Sequence, residues 1–177
     1  MAGQILLLNL LGFMLLPPQR KQLLQNLSCR PLKGIIIGLS SAFVLFLIFF
    51  LGRTILTLIW PVVGQQIERI YGFKQGSSGF YLGFLLGAII GPGEEILWRW
   101  LLQGEWMKKV GPWPGLTLVS GIYALVHLPT RNPILVIAAL TCGLFWGWLF
   151  LKFRSGLVNI ISHGIWDVVI FVILPLR

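Results

Sequence analysis

Residues 75–99 read QGSSGFYLGFLLGAIIGPGEEILWR. From Gln75 to Gly93 there is no charge for 19 residues. Such a run is long enough for a transmembrane helix, which needs about 20 apolar residues. Glu94 and Glu95 follow at once, with Trp98, Arg99, Trp100, Leu101 and Leu102 beyond them. A charged side chain at mid-bilayer costs about 2.5–3.5 kcal/mol on insertion scales. Two adjacent carboxylates in this setting therefore mark a functional site, and their partners must come from other apolar segments.

The rest of the composition agrees. The chain has 177 residues, 56% hydrophobic and 11% charged, with mean hydropathy +0.87. Soluble domains carry roughly 25% charged residues, so this is an integral membrane protein, an all-α polytopic helical bundle. The net charge of +9 would suggest nucleic acid in a soluble protein. Here the Lys and Arg residues lie in short connections between apolar runs, the pattern that sets membrane orientation, and no nucleic-acid partner is expected. Cys29 and Cys142 form neither a disulfide framework nor a metal-spaced pair. The acids are Glu68, Glu94, Glu95, Glu105 and Asp167, and the histidines His127 and His163. Five of these seven fall in apolar segments, and that bias carries the functional signal.

Outward from the paired glutamates, residues 3–16 are apolar, but too short to span, and end at Pro17-Pro18. With no preceding positive charge and no small-residue cleavage site they do not match a signal peptide. They read as an interfacial or re-entrant helix, followed by a basic linker to Lys33. The first span is Gly34 to Gly52. Thr54 to Gly79 reads as a partly interfacial connection. The second span runs from Phe80 to about Gln103, and Gly83, Gly87 and Gly91 make a small-residue stripe for close helix approach. Gly91-Pro92-Gly93 reads as a kink or a new helix start. The third span is Gly115 to Pro129, the fourth Pro133 to Leu151 and the fifth Gly156 to Leu176. Three units follow: 1–33, an N-terminal segment and linker; 34–79, the first span and its connection; and 80–177, a core of four spans. Eight basic residues fall on the N-terminal side of the bilayer and five on the other, which places the N-terminus in the cytoplasm. A bacterial plasma membrane and a thylakoid-type membrane read alike.

At 1.5 Å per residue, Glu94 lies about 13 Å, His127 about 18 Å, His163 about 10 Å and Asp167 about 16 Å from the inner boundary. One polar site built from three helices is therefore geometrically consistent, on the cytoplasmic half of the bilayer. Glu95 and Arg99 are i,i+4 and can pair on one helix face. Glu94, about 100° away, is left to face the bundle interior, with partners expected from His127 and His163. His163 and Asp167, and Tyr123 and His127, repeat the i,i+4 spacing. A desolvated glutamate can act as general base on water, and an imidazole can share that water and carry its proton. Glu94, His127 and His163 also make a His₂Glu set of the kind that holds zinc, with Asp167 as a further ligand or its partner. No HExxH helix is present. Other readings of the same polar groups are interhelical glue and a proton or ion path.

Glu94-Glu95-x-x-x-Arg99, Tyr123-x-x-x-His127 and His163-x-x-x-Asp167, in that order, resemble the CPBP family of intramembrane proteases. That family includes type II CAAX prenyl endopeptidases and bacteriocin-processing or immunity (Abi) proteins. The likeness extends over roughly residues 80–172. It implies an endopeptidase, metallo- or glutamate-dependent, acting on a peptide or membrane-protein substrate in the lipid bilayer. Glu94 would activate water with His127. His163 and Asp167 would bind the oxyanion or complete the site, and Glu95, Arg99 and Tyr123 would orient it. A divalent metal such as zinc would sit on Glu94, His127 and His163. The chain departs from the family pattern at Tyr123, where Phe is usual, and at Trp100, where Gly is common. The competing expectation is a non-catalytic accessory or assembly subunit of a larger membrane complex that retains the polar cluster.

Overall fold

The computed structural model describes residues 31–72, 76 and 78–176, which are helical almost throughout and contain no strand. The interfacial helix expected at 3–16 and most of the basic linker lie outside the described residues. Among the described residues α1 is Pro31–Ile59, α2 Val62–Gly72, α3 Gly79–Val110, α4 Pro112–Leu125, α5 Pro133–Phe153 and α6 Gly156–Ile173. Four of these, α1, α3, α5 and α6, are long and apolar enough to cross a membrane. The expected third span is shorter than the other four. It has 14 residues, about 21 Å of helix, and stops at Leu125, because Pro129 cannot continue it and Leu128–Thr130 tightens into a 3₁₀ turn.

Close contacts give the topology. Gly34 and Gly38 of α1 face Leu157 and Ile161 of α6, and Phe49 meets Trp166 edge-on at 4.8 Å, so these two helices run parallel. α3 runs against α6. A Cβ on Gly87 would lie 2.9 Å from Val168 and one on Gly91 3.4 Å from Gly164, while one on Gly164 would meet the Gly87 carbonyl at 2.7 Å. The backbones touch here, and the small stripe on α3 works as its spacing suggests. α4 returns along α3, with Gly115 against Met107, and α5 along α4, with Gly143 against Ser120. The core between them includes Leu45, Trp98, Val119, Tyr123, Cys142, Trp146, Leu149 and Trp166. Large apolar side chains on the outer faces, such as Leu32, Phe43 and Phe80, suit a bilayer.

Gly91-Pro92-Gly93 does not break α3. The helix instead widens into π-helical turns on either side of it, over Leu85–Ile90 and Ile96–Gln103. The Gly91 N–H reaches back five residues to the Leu86 carbonyl. A proline in a regular α-helix clashes with the carbonyl four residues back, and a wider turn relieves that contact without ending the helix.

α2 is amphipathic and lies at the end of the bundle away from Lys108, Lys109 and Lys152. The Tyr71 hydroxyl donates to the Ile170 carbonyl and accepts from the Leu176 N–H, both at 3.0 Å. Asn132 Nδ2 donates to the Gln66 carbonyl at 2.8 Å. Within the expected partly interfacial connection, Val62–Gly72 is thus a helix tied to the end of α6 and to the start of α5.

Candidate active site

The α3–α6 crossing brings Glu95 against His163. Glu95 is fully buried, and all its partners are internal. His163 Nδ1 donates to Oε1 at 2.8 Å, and Asn159 Nδ2 to Oε2 at 2.9 Å. Arg99 Nε lies 3.3 Å from Oε2, one helical turn along, in ionic contact but not aligned as a hydrogen bond. The expected Glu95–Arg99 pair is present. The assignment of His163 as a partner of Glu94 is corrected: its ring bonds to Glu95. The α3–α6 contact at Gly87, Gly91 and Gly164 rotates Glu95, rather than Glu94, towards α6.

Glu94 turns towards α4. Its Oε2 accepts from the Tyr123 hydroxyl at 2.8 Å. At 7% exposure against 0% for Glu95, it retains some access. Tyr123 is boxed by Trp98, edge-on at 5.2 Å, and by the Arg99 guanidinium, 5.5 Å from its ring. Its carbonyl faces His127 Nδ1 at 2.9 Å. A carbonyl can only accept, so in the neutral ring Nδ1 carries the proton and Nε2 is left with its lone pair. Tyr123 therefore links Glu94 and His127, by its hydroxyl to one and its backbone to the other. His127 lies beyond the end of α4, half-buried, at the α2 end of the bundle. The most exposed member of the site, His127, thus sits at the end opposite Lys108 and Lys109.

His163 is clamped further. Its ring stacks on Trp146 at 3.7 Å and 17°, and its Nε2 is 3.5 Å from Asp167 Oδ2. Trp146 in turn donates from Nε1 to Ser162 at 3.2 Å, and its carbonyl accepts from Asn159 at 2.8 Å. Asn159 and Trp146 have no role assigned to them by the sequence. Asn159 had a signal, since Asn159, His163 and Asp167 continue one i,i+4 ladder along α6. Trp146 falls in a stretch, Gly143 to Leu149, that resembles the family, but its stacking on His163 depends on the α5–α6 contact.

The proposed zinc ligands do not assemble. Glu94 bonds to Tyr123, His163 to Glu95, and His127 to a backbone carbonyl. Among the described residues no group of three His, Cys, Asp or Glu side chains is placed to hold a metal ion. Three convergent ligands at bonding distance are what a zinc site requires, so Glu94, His127 and His163 do not fit that role as arranged.

The pairs Glu94–Tyr123 and Glu95–His163 thus lie at the junction of α3, α4 and α6, with His127 joined to the first through Tyr123. A family model of type II CAAX prenyl endopeptidases, Rce1-like, matches residues 76–169. The chain belongs to this family. The matched segment runs from just before α3 into α6 and holds Glu94, Glu95, Arg99, Tyr123, His127, His163 and Asp167. No curated protein and no solved structure matches the chain. Membership makes it an integral membrane protein of the CPBP protease group, with a protein substrate in the membrane. α1 and α2 lie outside the matched segment.

Proposed function

We propose that this chain is an intramembrane endopeptidase that hydrolyses a peptide bond with water activated by Glu94 and His127. The observation that carries the reading is the asymmetry of the two carboxylates. Glu95 is tied to an arginine, a histidine and an asparagine. Glu94 receives one hydroxyl and keeps some exposure. A base must be free to take up its proton, and Glu94, with one hydroxyl partner and slightly more exposure, is the less committed of the two.

In this reading Glu94 takes a proton from water, oriented with the help of the His127 Nε2 lone pair, and the hydroxide adds to the peptide carbonyl. The Glu94 proton then passes to the leaving amine. Tyr123 holds both groups in register. His163, fixed through Nδ1 by Glu95 and by stacking on Trp146, would carry a second proton on Nε2, held between Glu95 and Asp167, and so donate from Nε2 to the developing oxyanion. Arg99 neutralises Glu95 and keeps that second carboxylate out of the proton transfer.

The test uses purified protein in liposomes with two probes, a farnesylated CAAX peptide and a non-prenylated transmembrane peptide. The wild type is expected to cleave at least one. Glu94→Gln is expected to lower kcat by about 10²-fold or more with an unchanged melting temperature. Full activity in Glu94→Gln would overturn the mechanism. Cleavage of neither probe by the wild type would favour the accessory-subunit reading instead.

A further inference from the structure

Around Arg99, four buried polar side chains from three helices each keep at least one polar atom without a hydrogen bond. Arg99, Gln103, Ser120 and Asn159 are each 0% exposed. Arg99 Nη1 and Nη2, Gln103 Oε1, Ser120 Oγ and Asn159 Oδ1 make no hydrogen bond. Their remaining contacts place them together. Arg99 Nε and Asn159 Nδ2 converge on the same oxygen, Glu95 Oε2. Gln103 is one turn beyond Arg99 and donates through Nε2 to the Gly147 carbonyl at 2.9 Å. A Cβ built on Gly147 would lie 3.1 Å from Gln103 Oε1 and 3.4 Å from Ser120 Oγ, so both oxygens border one point. Ser120 is one turn before Tyr123, the residue over which the guanidinium lies.

We propose that this cluster is a buried water site, in which one or more waters bridge the Arg99 guanidinium to Gln103, Ser120 and Asn159. The chemistry of the lining selects the ligand. The unpartnered atoms comprise a fork of donors and three acceptor oxygens, and none of them pairs directly with another. Only a ligand that both donates and accepts can serve both sets, and water is the smallest that does. An anion would suit Arg99 and the Ser120 hydroxyl but meet two amide oxygens that can only accept, and a metal cation would meet a guanidinium. Leaving a buried charge and several polar atoms unsolvated costs far more than ordering a water. Gly147 contributes by having no side chain, since a methyl there would crowd both oxygens. The site does not depend on which carboxylate activates the hydrolytic water. It provides solvation that lets Arg99 stay fixed beside Glu95 in the bundle interior.

Ser120→Ala separates the two cases by sign. In a dry cluster, Ser120 Oγ is an unsatisfied buried oxygen, and its removal stabilises the protein. In a hydrated cluster, the same change removes one of the water's partners. The expected result is a melting temperature lowered by about 2–4 °C, one hydrogen bond's worth for a chain of this size. A diffraction map of the full chain in a lipidic mesophase is the second measurement. It is expected to show water density within hydrogen-bond reach of an Arg99 Nη atom and at least one of the three oxygens. A raised or unchanged melting temperature in Ser120→Ala, or a map in which Arg99 bonds directly to these side chains with no density between, would overturn the proposal.

Discussion

Glu95 and Arg99 are the most deeply committed pair of residues in the molecule, both without exposure. Breaking a buried ion pair by removing one charge costs about 3–5 kcal/mol, because the survivor is left uncompensated. Glu95→Gln keeps the shape of the side chain but leaves Arg99 as a bare cation, so it is expected to destabilise the protein by about that much. The double variant Glu95→Gln/Arg99→Gln is expected to lose less than the sum of the single changes, by about 0.5–3 kcal/mol. Thermal unfolding in detergent, run on all three variants, measures both quantities. Additive losses would show that the pair is not coupled. At this scale the contrast with Glu94 is sharp, since Glu94→Gln is expected to cost activity and not stability.

Among the elements, the α3–α6 crossing positions the site. Its closest approach is Gly164 against the Gly87 carbonyl, where an added Cβ would stand 2.7 Å from a backbone oxygen. Backbone cannot give way as a flexible side chain can, so Gly164→Ala must push the helices apart. Overpacking of this kind costs about 1–3 kcal/mol, and separation stretches the Glu95–His163 hydrogen bond next to it. Gly164→Ala is expected to lower both melting temperature and kcat. Gly121→Ala, where nothing lies within 4 Å, is expected to leave activity unchanged and to stabilise slightly, by about 0.5–1 kcal/mol from helix propensity. Equal effects at the two positions would mean that the crossing is not what holds the site. The i,i+4 pairs on α3 and α6 were legible in the sequence, because spacing along one helix fixes which side chains share a face. The continuity of α3 was not. Pro92 reads as a helix breaker until the widened turns around it are seen, and those turns are stabilised by packing rather than by local propensity.

For the whole molecule, the basic residues divide between the two ends. Among the described residues Lys33, Lys108, Lys109, Lys152 and Arg154 lie at the end where α1 begins, and Arg53, Arg69 and Arg131 at or towards the other. This bias supports our proposal that α1 starts on the cytoplasmic side. In inverted and right-side-out vesicles, a membrane-impermeant maleimide is expected to label Lys108→Cys only from the cytoplasmic face and Arg131→Cys only from the opposite one, on a background in which Cys29 and Cys142 are replaced. The reverse pattern would sink the orientation. It would also place the accessible His127 end of the site towards the cytoplasm.

Membrane character, four of the five expected spans and the within-helix pairs Glu95–Arg99 and His163–Asp167 were determined by the sequence alone. Each follows from hydropathy or from the 3.6-residue turn, which are local properties. Which of two adjacent glutamates meets which histidine was decided only by the tertiary structure. Neighbouring residues on a helix point about 100° apart, so the choice turns on how α3 is rotated against α6. Glycine-to-glycine contact at Gly87, Gly91 and Gly164, together with the widened turns flanking Pro92, sets that rotation. It directs Glu95 to His163 and leaves Glu94 to Tyr123.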